Sequence, residues 1–156
     1  MNLLLKLFAA WGIPKRKILA EYAKLSLGKD MNLGAVDPDV ACAVALNRIF
    51  QESLGFQAGG GSSTYRMYKS LRRNPRFKEM KIWEAEAGDI IISPTGFRLR
   101  RSTINNGHVG IMGENRKIMS NNSKTGFWDK HYTLNTWYMR YAVKGQYLVI
   151  IYRLVV

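Results

Sequence analysis

The sequence predicts a single α+β domain in which N-terminal helices pack on an antiparallel β-sheet. Two observations carry this reading. As far as about residue 71, apolar residues recur at helical spacing between capping signals. Beyond residue 80 the pattern changes to short β-branched runs opened by glycine turns. Helices first and strands later is the ordering of an α+β fold. The 156 residues suit one core, and a hydrophobic fraction of 47% excludes a disordered chain. No internal repeat or domain boundary interrupts residues 1–156, which divide into a helical N-terminal extension (1–36) and a main body (37–156).

Taken in order, Met1 to Trp11 reads as a short amphipathic helix packing on the domain, with an interfacial membrane helix as the alternative. No basic residue precedes its apolar run, Lys6 interrupts it, and no small-residue cleavage site follows, so a signal peptide is not expected. Pro14 can open a second helix with Ile18, Leu19, Tyr22 and Leu25 on one face, and Gly28 stops it. The cations Lys15, Arg16 and Lys17 stand at its start, where the helix dipole disfavours them, and ask for an anionic contact. A third helix begins at Asp37 or Asp39 as cap, with Pro38 in its first turn. Its core stripe is Val40, Val44, Ile49, Phe50 and Leu54, and small residues around Cys42 let another segment approach. Residues 58–64 form a Gly/Ser loop, Tyr65–Leu71 a short helix, and residues 72–78 a basic run. Strands are expected at 88–93, 109–112, 116–120 and 147–156.

Lys and Arg total 24 against 11 Asp and Glu, a net charge of +13. That excess points to an anionic partner: nucleic acid, an acidic membrane surface or the bacterial cell wall. One cysteine excludes an intramolecular disulfide, and with two histidines it excludes a structural Cys/His zinc site. No stretch reaches the roughly 18 apolar residues of a membrane span. No cofactor is expected.

A lone cysteine is ordinarily an inert core residue. Here Cys42 lies near a helix N-terminus, where unpaired amides favour thiolate, more strongly if Asp39 is the cap than if Asp37 is. His108 stands at the mouth of a strand in Asn106-Gly107-His108-Val109-Gly110-Ile111, after the neighbouring Gly88-Asp89-Ile90-Ile91-Ile92. A nucleophilic thiol needs a base, and the base needs a third group to fix its tautomer.

With these residues the chain resembles the NlpC-type and CHAP papain-like cysteine peptidases of peptidoglycan, from about residue 37 to the C-terminus. The resemblance implies a papain-like fold, Cys42 as nucleophile and His108 as general base. It also implies hydrolysis of a cell-wall amide by a bacterial or phage-encoded lytic enzyme, working at the wall after release or delivery. The third group belongs on the next strand, Lys117 to Ser123. The simplest register puts Met119 there, which cannot orient an imidazole. Asn121, on the same face, is the candidate instead, and Asn122 the second choice. The Cys42 amide and the 59–64 loop are candidates to line the cleft.

His131 is an alternative base, read first as a structural histidine. Trp128 and Trp137 could stack on a sugar, although core packing is the ordinary reading. Arg98, Arg100 and Arg101, in the loop before His108, would face stem-peptide carboxylates or wall phosphates. Two further classes stay open. One is a basic nucleic-acid-binding module, which the charge supports but for which no helix-turn-helix, RNA-recognition or zinc-finger pattern speaks. The other is a non-catalytic papain-like domain of a larger assembly.

Overall fold

A computed structural model describes residues 3–34, 37–96 and 106–155, with the side chains of residues 38 and 39 also outside the description. The helices are α1 (Leu3–Ala10), α2 (Lys15–Leu25), α3 (Pro38–Leu54), α4 (Thr64–Arg73) and α5 (Leu134–Tyr138). The strands are β1 (Phe77–Met80), β2 (Ile90–Ser93), β3 (His108–Met112), β4 (Lys117–Asn121), β5 (Trp128–Thr133) and β6 (Ile150–Leu154). They form one sheet in the order β1-β6-β2-β3-β4-β5, antiparallel throughout. The α+β architecture read from the sequence is the one observed.

The period-two alternation of the strands sorts the core into two layers. Ile90, Ile92, Val109, Ile111, Met119, Tyr152 and Leu154 face the helices and pack with Leu46, Ile49 and Phe50 of α3. Ile91, Met112, Ile118 and Ile151 face the other way and are covered by Leu134 and Trp137 of α5, with Tyr141 and Tyr147 after it. The buried side of α3 is made by Ala41, Cys42, Ala43, Ala45 and Leu46, while Val40 and Val44 are only half buried. The helix is therefore rolled toward its alanines, which let it lie close on β3 and β4.

Of the cations at the start of α2, Arg16 has its counter-ions. Arg16 Nη1 lies 2.6 Å from Glu86 Oε2 and 3.8 Å from the fully buried Asp89, just before β2. Arg153 of β6 closes the network with two bonds to Asp89, at 2.9 and 2.8 Å. Gly88 permits this junction: a Cβ there would stand 2.2 Å from the Arg16 carbonyl oxygen. Among the described residues no helix is long and apolar enough to cross a membrane.

Candidate active site

The α3 backbone begins at Asp37, whose carbonyl accepts from the Val40 and Ala41 amides, both at 3.1 Å. Asp37 is thus the cap position, and Cys42 stands in the second turn, where the dipole acts more weakly on a thiol. Cys42 is 2% exposed and packs in the layer between α3 and the sheet.

His108 is the first residue of β3, paired with Ser93 at the end of β2. Its ring lies on the other face of the sheet. It stacks on Trp137 (centroids 5.2 Å apart) and Tyr141 (6.0 Å), with Tyr132 at 6.0 Å. Three observations agree on that side: Val109 and Ile111 take the α3 face, Met112 shares the layer of Trp137, and Gly110 abuts Ile118 and Ser120. Cys42 thus packs in the layer between α3 and the sheet and the His108 ring in the layer of Trp137 and Tyr141, and both side chains are buried.

The third group is corrected. His108 Nε2 and Ser120 Oγ are 3.0 Å apart and hydrogen-bonded. Neither Met119 nor Asn121 holds the imidazole. Met119 lies in the helix-facing core, and Asn121 Oδ1 accepts from Asn32 Nδ2 at 3.0 Å on that same side. Asn122, the second choice, donates to Asp129 at 3.2 Å. The physical reason is register. The pairing of Ile111 with Met119 sets Ser120 on the face of Gly110 and His108, and a Cβ on Gly110 would stand 3.1 Å from the Ser120 Cβ. Ser120 carried no signal beyond this parity, which a strand boundary placed one residue differently would reverse.

The pocket around the imidazole is aromatic and polar. Trp137 Nε1 donates to Ser93 Oγ at 3.1 Å, so the two residues of the His108–Ser93 pair are fixed by one indole. Burial pushes the His108 pKa down to about 3, helped by positive charge on His131 and Arg140. The ring is therefore neutral at physiological pH, with one nitrogen committed to Ser120. Burial also pushes the Tyr141 hydroxyl up.

Hydrogen bonds tie the mouth of β3 to the middle of α3. Gly107 N donates to Thr95 Oγ1 at 2.9 Å, and Thr95 Oγ1 is bonded to Thr64 Oγ1 at 3.0 Å. Three residues before Thr64, the Gly61 carbonyl accepts from Asn47 of α3 at 2.8 Å. The Gly59–Gly61 stretch packs on α3 and α4: Asn47 bonds Gly59 and Gly61, and a Cβ on Gly60 would meet the Met67 backbone at 2.1 Å.

Trp128 and Trp137 are fully buried, and the Trp128 indole donates to the Ala23 carbonyl, so neither is a sugar-stacking surface. His131 is exposed, with its ring 4.4 Å from Tyr132. Arg98, Arg100 and Arg101 lie outside the described residues. Among the described residues no group of His, Cys, Asp and Glu could hold a metal ion.

No known family profile matches the chain, and no curated protein does. Among solved structures, a Staphylococcus aureus protein similar to a lipoprotein of the NLP/P60 family superposes with a TM-score of 0.51 at 15% identity. The superposition covers 91% of this chain and 42% of that one, so the chain spans less than half the length of that protein. The fold is that of the NlpC/P60 papain-like class. The likeness concerns that branch and says nothing of the CHAP branch.

Proposed function

We propose that this domain hydrolyses an amide bond of peptidoglycan, with Cys42 as nucleophile, His108 as its base and Ser120 as the group that holds the imidazole. The observation that carries the reading is the His108–Ser120 hydrogen bond under the Trp137 indole, on the NlpC/P60 fold. A base held through Nε2 leaves Nδ1 to take the proton of a thiol. The thiolate adds to the amide carbonyl, the imidazolium gives its proton to the departing amine, and water then cleaves the thioester. A single oxyanion donor in such a site is worth ~3–4 kcal/mol. The net charge of +13 suits an anionic wall polymer as partner.

The reaction requires the Cys42 thiol and the Nδ1 edge to meet. A second reading is favoured by the burial of the two side chains in different layers: a papain-like domain that binds without cutting. Digestion of purified peptidoglycan with wild type, Cys42→Ala and His108→Ala, read by mass spectrometry, separates the two. Hydrolysis predicts new peptide ends with wild type alone. Intact wall in all three, with binding retained, favours the second reading.

A further inference from the structure

We infer that α1 is an attachment site for an anionic lipid bilayer surface, independently of what the candidate active site does. Leu5 is buried and Phe8 half buried, and these two hold the helix on the body. The opposite flank is bare. Leu3 is 72% exposed, Leu4 42%, Leu7 41% and Trp11 71%. Trp11 continues the helical bonding, its amide donating to the Leu7 carbonyl at 3.0 Å. At about 100° per residue, these four side chains fall within an arc of roughly 100° and form one continuous stripe.

Charge selects the occupant. The first twenty residues carry Lys6, Lys15, Arg16 and Lys17 and no acid. Arg16 is paired with Glu86, while Lys6, Lys15 and Lys17 are solvent-exposed. An apolar stripe with a tryptophan at one end, on a segment that carries exposed lysines and no acid, matches a helix lying in the plane of an anionic interface. A second copy fits worse, because it would bring the same cations, on a body of net charge +13, against each other.

The test is co-sedimentation of the full chain with phosphatidylcholine vesicles, with and without phosphatidylglycerol. Wild type is expected to sediment with the anionic vesicles and to bind neutral ones weakly. Leu7→Asp/Trp11→Asp, whose changed side chains are exposed, should keep its melting temperature and lose roughly tenfold or more of the partitioning. Lys15→Glu/Lys17→Glu should lose the preference for anionic lipid. The inference is overturned if wild type stays in the supernatant, or if Leu7→Asp/Trp11→Asp binds as wild type does. It is equally overturned if sedimentation velocity shows a wild-type dimer that this variant abolishes, which would assign the stripe to a second copy.

Discussion

Ser120→Ala removes one oxygen from the interior and isolates the role given to that residue. Ser120 is fully buried, and His108, its partner at 3.0 Å, is 8% exposed. Without the hydroxyl, a neutral imidazole nitrogen is left desolvated under Trp137 and Tyr141. Leaving such a group unsatisfied costs about 1–3 kcal/mol. For a chain of this size each kcal/mol lowers the melting temperature by about 2–4 °C, so the midpoint should fall by about 2–12 °C. Calorimetry at pH 7 measures this, and the nitrogen chemical shifts of His108 report its tautomer. Ser120→Ala should mix the tautomers. Asn121→Ala, which breaks a bond to Asn32 on the other side of the sheet, should leave them unchanged. A tautomer insensitive to Ser120→Ala, or shifted by Asn121→Ala, would refute the assignment of the third group.

Three further outcomes are expected. His108 is held near a pKa of 3 when folded and rises toward about 6.5 when unfolded, so the unfolded state binds the extra proton as pH falls. Its contribution is complete above about pH 6.5 and is lost progressively toward pH 3; the domain should be about 2 kcal/mol less stable at pH 5 than at pH 7, and urea titrations of His108→Gln should show a shallower loss. Asp89→Asn removes the buried carboxylate from the network and leaves Arg153, among the described residues, only the exposed Glu86 carboxylate, 3.7 Å away; it should cost about 3–5 kcal/mol by urea denaturation, whereas exposed Lys78→Ala should cost little. Gly107→Ala would place a Cβ 2.0 Å from the Ser93 carbonyl oxygen, which is backbone and cannot swing aside; a loss of about 1–3 kcal/mol and altered His108 resonances are expected in denaturation and NMR.

Much of the fold was legible because its signals are local. Pro14 opens α2, which ends at Leu25 with Ser26 as its cap, short of Gly28; Asp37 caps α3, and the isoleucine run 90–92 after Gly88 is a buried strand. What failed depended on partners distant in sequence. Residues 77 and 78 read as the end of a basic run, yet residues 77–80 form β1 because β6 supplies the hydrogen bonds, leaving Lys78 and Glu79 on the exposed margin. The strand β5 and helix α5 carry charged and aromatic residues without clean periodicity. Their order comes from pairing with β4 and from the Thr133–Thr136 capping bonds. Leu25 fits the α2 stripe but is 46% exposed, since Ala23 takes the contact under Trp128. For the site, residue types revealed His108 and Cys42, but the side of the sheet on which the imidazole and its partner lie depends on register. A one-residue change in strand phase exchanges Ser120 for Asn121.

The central claim is that Cys42 and His108 act on one another, and the pH dependence of Cys42 alkylation tests it most directly. Rates with iodoacetamide should be measured from pH 5 to 9 for wild type and His108→Ala, with Ser120→Ala between them. The account predicts that His108→Ala slows labelling near pH 7 and moves the thiol's titration upward, with Ser120→Ala showing a smaller shift in the same sense. Superimposable profiles for wild type and His108→Ala would mean that the imidazole never reaches the sulfur, and would contradict it.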